Sequence, residues 1–315
     1  MNLELNQYFN LLEEYQKPEF LNKYLSSKSL NRLKKVCYFC GMDYGSKDIY
    51  DFKEQVSRYD HSLSVALLTW KFTKDKKATL AALFHDIASP CFSHVIDYMN
   101  GDYSTQESTE EYTENKILND TCIMSFLKED GILPGEVSDF KKYSIVDNKR
   151  PKLCADRLDG IILTGMFWTK DINILDVKKI INDIGVFKNE DGEKELGFYH
   201  EEIAQKVLEV SDNIDIYCHS KEDNFMMNFL AEITKEAIRN NYITYEQLYS
   251  LNEEELVYIL KNKTNQKIKD LFQKFETITK EEIKDITLPY IKSRDLNPLV
   301  LGKRIKDEKV KRLSI

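Results

Sequence analysis

The sequence predicts a mostly α-helical protein with, at most, a small β element. Three observations predict it. Glycine and proline are scarce, 11 and 6 among 315 residues, too few to punctuate the many short strands of a sandwich or barrel. Apolar residues recur at spacings of three and four, as in Leu3, Leu5, Tyr8, Leu11 and Leu12 and again in Val56, Tyr59, Leu63, Ala66, Leu67 and Trp70. Only Asp191-Gly192, beside the stretch that holds Gly197, reads as a hairpin turn.

Taken in order, residues 1–35 read as one or two helices, followed by a glycine-containing loop over 41–51. The next expected helix covers 52–72. Another covers 76–87 and is broken by Ala88-Ser89-Pro90. Helix resumes over 92–99, a polar helix is expected over 106–118, and a short one over 120–129. Pro151 stands where a helix over 152–167 would begin. Residues 174–187 and the Gly197 stretch are assigned to the β element. Helix returns from Glu201 through Lys274. The organisation this implies is an N-terminal helical segment (1–50), a helical core (51–170) and a mostly helical C-terminal region (171–315).

Composition narrows the function. Hydrophobic residues make up 42% and charged residues 31%, enough for a sizeable core in one large domain or one domain with a smaller appendage. The net charge of −8 disfavours binding along a nucleic-acid backbone but leaves room for a local basic pocket for a phosphorylated ligand. No apolar run reaches the length of a membrane span, and the first fifteen residues lack the pattern of a secretory signal, so a cytoplasmic protein is expected. The six cysteines are expected to be reduced. Cys37-x-x-Cys40 could be half a zinc site, but no second pair completes it, and core packing is the better reading. Residues 303–312 form a basic tail, read as a solvated helix face or as an effector or subunit contact.

The chemistry concentrates in a few residues. Of five histidines, His61, His85 and His94 fall in the most apolar helical part of the chain. His85-Asp86 ends the apolar run Ala78-Thr79-Leu80-Ala81-Ala82-Leu83-Phe84, where a charged Asp is costly unless it is paired or metal-bound. Neighbouring side chains on a helix point about 100° apart, so His85 and Asp86 can share an ion only near the helix end. His61 lies within a helix, and Asp156 lies in the apolar context Leu153-Cys154-Ala155-Asp156-Arg157-Leu158-Asp159. Taken singly, a core histidine or a salt-bridged Asp is ordinary. Together, two imidazoles and two carboxylates make a mixed N/O site with room for water and a phosphate oxygen.

The runs Arg58-Tyr59-Asp60-His61-Ser62-Leu63-Ser64-Val65-Ala66, Phe84-His85-Asp86-Ile87, Pro90-Cys91-Phe92-Ser93-His94 and Ala155-Asp156-Arg157-Leu158-Asp159 resemble, in order and spacing, the motifs of the HD-superfamily phosphohydrolases. Within that superfamily they look most like the deoxynucleoside triphosphate triphosphohydrolases. The resemblance covers residues 55–165 well and the rest of the chain loosely. It implies one divalent ion (Mn²⁺, Fe²⁺, Zn²⁺ or Mg²⁺) held by His61, His85, Asp86 and Asp156. It places Arg58, Arg157 and His94 on the phosphates and makes Asp97 the acidic partner of a catalytic histidine. It also implies a helical HD bundle, a nucleotide or other phosphorylated small molecule as substrate, and a homo-oligomer. Asp86 would accept the proton of the attacking water, and His94, Glu107 or solvent would protonate the leaving group.

The sequence departs from the family pattern at Ser89 and Gln106, which stand where the family has histidines. It departs again at Gly160 and Thr164, and at Tyr38-Phe39-Cys40-Gly41, where the family contacts the nucleoside. The leading expectation is a metal-dependent nucleotide phosphohydrolase, with dNTP triphosphohydrolase activity as its specific form. The alternatives are a metal-binding nucleotide sensor with little turnover, suggested by Ser89 and Gln106, and a non-nucleotide HD enzyme such as an oxygenase or lyase.

Overall fold

Short side chains that accept hydrogen bonds decide where most of the helices begin. The computed structural model describes residues 3–106, 108, 112–283 and 290–306. Fourteen α-helices and one four-stranded sheet occur among them, in keeping with the mostly α expectation.

The N-terminal segment forms three helices rather than one or two: α1 (Leu3–Glu13), α2 (Leu21–Tyr24) and α3 (Lys28–Leu33). Helix α1 buries Leu5, Tyr8, Leu11 and Leu12, four of the five stripe residues read from the sequence. Helix α4 (Arg58–Thr73) starts later than expected. The chain just before it is engaged with residues 36–38: Tyr38 N donates to Val56 O (2.9 Å) and Arg58 N to Val36 O (2.8 Å). Ser57 and Asp60 then form a capping box that fixes the first turn.

Helix α5 (Lys76–Phe84), capped by Asp75, stops three residues short of the expected end. Tight turns replace it, with Ile87 N donating to Phe84 O and Ser89 N to Asp86 O. Helix α6 (Val95–Asn100) begins late because Phe92 (φ 65°) and Ser93 (φ 45°) are left-handed, which breaks the helical path. Gln106 is left-handed as well (φ 52°), so no helix runs from it; α7 (Thr113–Asn119) starts further on, and α8 (Thr121–Glu129) follows with Asp120 as its cap. Residues 107 and 109–111 lie outside the described residues.

Helix α9 (Ala155–Phe167) does not start at Pro151. Its first N–H groups are taken by another segment, Ala155 N donating to Ile145 O (2.7 Å) and Asp156 N to Val146 O (3.2 Å). Residues 174–183, assigned above to the β element, form α10 (Ile174–Asp183), because Asn173 and Asp176 make a capping box. The hairpin comes next: β1 (Ile184–Lys188) pairs antiparallel with β2 (Lys194–Phe198). Asp191-Gly192 lies in its loop, with Gly192 at φ 78°, where only glycine is unstrained.

Four long helices follow: α11 (Glu201–Cys218), α12 (Lys221–Arg239), α13 (Glu253–Asn262) and α14 (Gln266–Thr277). Strands β3 (Leu299–Val300) and β4 (Lys303–Arg304) complete the sheet in the order β1-β2-β3-β4. The start of the basic tail is therefore strand and not helix. Arg304 binds buried Glu195 through two bonds (2.6 and 2.7 Å), which neutralises it, and residues 307–315 lie outside the described residues.

Two buried clusters form the interior. The larger takes apolar side chains from α1, α4, α5, α9 and α11. The second joins Met42, Tyr50 and Phe92 to α12, α13 and α14. Glu253 sits in the second cluster, fully buried. Its Oε1 accepts from Phe92 N (2.8 Å), while its Oε2 has no partner among the described residues. Burial pushes its pKa up to about 7, against the pull of the nearby Cys37 and of the Phe92 N–H.

A carboxyl whose pKa is higher in the folded than in the unfolded state stabilises the fold at low pH and loses that contribution as pH rises through the folded value. A rise from the ordinary 4.5 to about 7 corresponds to on the order of 3 kcal/mol lost between pH 4.5 and 7. Glu253→Gln is uncharged at every pH. In urea unfolding it should be more stable than the parent at pH 8, with the gap narrowing toward pH 5. A gap independent of pH would refute this.

Candidate metal centre and its cleft

Helices α4, α5 and α9 converge where their polar side chains meet. The capping box at Ser57 places Arg58 in the first turn of α4 and His61 one turn in. His85 and Asp86 leave the C-terminal end of α5, and Asp156 occupies the first turn of α9. There the partial positive charge of a helix N-terminus favours a carboxylate.

The ligand atoms come close together. His61 Nε2 lies 3.0 Å from Asp156 Oδ1 and 3.3 Å from His85 Nε2. His85 Nε2 lies 3.5 Å from Asp156 Oδ1 and 3.8 Å from Asp86 Oδ2. Atoms bonded at about 2.1 Å to a single ion are separated by at most about 4.2 Å, so these distances suit one cation. His61, His85 and Asp86 form one of two metal-capable groups among the described residues; the other is Asp147, Cys154 and Asp156.

The outer ring nitrogens are committed. His85 Nδ1 is 2.7 Å from Ala82 O, and His61 Nδ1 is 2.7 Å from Asp159 Oδ2. Asp159 is fully buried and accepts from Tyr8 of α1 through Oδ1 (2.6 Å). With Nδ1–H donated outward, a neutral imidazole presents the Nε2 lone pair to the cluster, as metal-binding histidines do. The residues thus fit a divalent cation.

The carboxylates around the cluster favour positive charge on it. Burial pushes the His61 pKa down, but hydrogen bonds to Asp156 and Asp159 outweigh it and hold it up at about 10. His85 is also raised, by Asp86 and Asp156 against burial. Burial raises Asp86, but Arg58, His85 and His61 hold it well below the usual carboxylate range. A cation bound here would displace protons, so its affinity falls as pH falls.

Arg58 is buried beside the cluster. Its Nη1 donates to Asp86 Oδ2 (2.9 Å) and its Nε to Ser93 Oγ (3.1 Å), and its guanidinium lies 5.2 Å from the centre of the Tyr38 ring. Ser89 Oγ donates to the other oxygen of Asp86 (3.0 Å). His94 lines the same cleft, with Nδ1 2.9 Å from Asp97 Oδ2. Asp97 is fully buried, its Oδ1 accepts from Ser108 N and Oγ, and it does not itself line the cleft, so it is placed to orient His94.

Arg157 also lines the cleft, but its two terminal nitrogens are committed, while its buried Nε has no partner among the described residues. The terminal nitrogens bind Asn148 Oδ1 (2.8 Å), Asn148 O (2.9 Å) and Lys152 O, turning the guanidinium onto the loop before α9. Glu107 lies outside the described residues. Sequence reasoning quoted Asp159 without giving it a role, and it gave Tyr8 none. Tyr38 was named only as part of a departure from the family pattern; its hydroxyl lies 3.2 Å from where a Cβ on Gly160 would stand, so glycine at 160 leaves room for this ring.

The cleft has a volume of about 1010 Å³, at the upper end of small-molecule sites. Arg58, Lys142, Lys149, Arg150 and Lys152 are among its cations.

The HD domain family matches residues 58–136, which take in Arg58, His61, His85, Asp86, His94 and Asp97. The uncharacterized protein YdhJ of Bacillus subtilis is 26% identical over 262 residues, covering 80% of this chain and 74% of its own length. The metal-dependent phosphohydrolase cns2 of Cordyceps militaris is 22% identical over 289 residues, covering 91% and 81%. Residues 58–136 thus match the HD domain, and the similarity to these two proteins extends well beyond that segment.

If Asp159 orients His61, Asp159→Asn should weaken Mn²⁺ binding by about 10–100-fold, read by isothermal titration calorimetry at pH 7.5. Tyr8→Phe should have a smaller effect in the same direction. Unchanged affinity in a folded Asp159→Asn protein would show that Asp159 serves packing alone.

Proposed function

We propose that the chain is a divalent-metal-dependent phosphohydrolase acting on a nucleotide. The observation that carries this is the convergence of His61, His85, Asp86 and Asp156 within one cleft, with the buried guanidinium of Arg58 against them. The HD-domain match and the similarity to a metal-dependent phosphohydrolase support it.

A divalent ion bound by these four residues would supply Lewis acidity and make a bound water acidic enough to attack near neutral pH. The chain's own residues supply the rest. Arg58 is held on three sides and can neutralise charge gathering on the phosphoryl oxygens without reorganising. His94, oriented by Asp97, keeps Nε2 free to meet a phosphate oxygen or the leaving group. Asp86 would take the proton from the attacking water. Arg157 would contribute its positive charge from the cleft wall. Aromatic rings and cations in a cleft of this size support a nucleotide over a bare phosphate, and triphosphate release from a dNTP is the specific form to test first.

A second reading, a nucleotide sensor with little turnover, is favoured by one observation. Ser89 donates to Asp86 and cannot serve as a general acid.

The test is turnover with Mn²⁺ on a panel of nucleoside mono-, di- and triphosphates. We expect metal-dependent release of phosphate, pyrophosphate or triphosphate. Asp86→Ala should reduce it by about 10³-fold or more, and Arg58→Ala should lower kcat/KM by on the order of 10²-fold. No metal-dependent release from any of the panel would overturn the enzyme reading and leave the sensor.

A further inference from the structure

The cleft is also lined by residues that are not candidate metal ligands. Among them Tyr50 and Asp223 lie side by side, both buried, with Tyr50 OH donating to Asp223 Oδ1 (2.7 Å). Asp223 Oδ2 has no hydrogen-bond partner among the described residues, and Asp223 lines the cleft. The walls are aromatic. Phe52 stacks between Phe39 (4.3 Å between centres) and Tyr50 (5.4 Å), and Trp168 meets Phe52 edge-on (6.0 Å). All four rings line the cleft.

The open group of Asp223 is an acceptor, which the oxygens of a second phosphate cannot use. The aromatic walls favour a flat ring. Arg294 of the C-terminal segment, His219 just after α11 and Tyr98 of α6 face Asp223, yet burial still dominates and raises its pKa to about 6. An acceptor left open in such a place gains most from a ligand that donates a hydrogen bond.

We propose that this part of the cleft selects the organic part of the substrate, a planar heterocycle seated against Trp168 and the Phe39–Phe52–Tyr50 stack with an amino group donating to Asp223 Oδ2. The proposal rests on the reading above, in which the phosphate lies beside Arg58. It commits the substrate to the amino-bearing nucleobases, and it assigns the discrimination to Asp223, outside the HD-matched segment.

The test uses unphosphorylated nucleosides, so that neither the metal nor hydrolysis contributes. Calorimetry on the full chain compares adenosine with purine riboside, and cytidine with its analogue lacking the amino group. The amino-bearing member of each pair should bind about tenfold or more tightly, since a site built for a donor rejects the analogue without it. Asp223→Ala should abolish the ratio. Asp223→Asn, which keeps an acceptor for Tyr50 and so guards against loss of folding, should abolish it too.

Equal binding within both pairs, a ratio that survives both variants, or no binding of any nucleoside at millimolar concentration would overturn the proposal. The two readings fail separately. A ratio in a protein that hydrolyses no nucleotide would leave the subsite and remove the phosphohydrolase, and hydrolysis without a ratio would do the reverse.

Discussion

The bond between Asp159 and His61 is the contact on which the candidate site depends. It lies in the dry interior, where an unpartnered carboxylate would be expelled or protonated, and it is satisfied from the other side by Tyr8. Three helices far apart in sequence are thereby tied at one point. With Nδ1 engaged, His61 has one free nitrogen, and the position of α9 brings Asp156 to meet it. The same helix thus supplies a candidate ligand and, one turn on, the residue that aims a second ligand.

The second half of the site hangs on the turns after α5. They bring Asp86 against Arg58 and Ser89, and they lead into the left-handed Phe92 and Ser93. Ser93 accepts from Arg58, and the Phe92 N–H is held by the buried Glu253 of α13. The C-terminal helices therefore do more than fill space. They clamp the loop that carries the arginine's partner and, one residue later, His94. A second prop comes from the sheet, where Glu195 accepts from Leu153 N (3.0 Å) just before α9 and is itself neutralised by Arg304.

Much of this was legible in the sequence, and what was missed has a common cause. Periodicity marked α1 because it buries the stripe that local spacing reveals, whereas α4 and α5 are buried on nearly all sides and were marked by their apolar content. The ligand set could be proposed because its members sit in short recognisable contexts. The start of α4 was written in Ser57 and Asp60 and that of α10 in Asn173 and Asp176, local signals that apolar spacing outweighed. The other omissions were not local. The role of Asp159 depends on partners 98 and 151 residues away, and Asp223 meets Tyr50 across 173. The commitment of Arg157 to the preceding loop depends on a backbone path that no residue pattern announces.

The central claim is that His61, His85, Asp86 and Asp156 hold one divalent ion. Anomalous diffraction from crystals of the full chain grown with Mn²⁺ tests it most directly. The account predicts a single strong peak about 2.0–2.3 Å from His61 Nε2, His85 Nε2 and a carboxylate oxygen of each aspartate. A peak at Asp147 and Cys154 instead, or no peak among the four residues at saturating Mn²⁺, would contradict it.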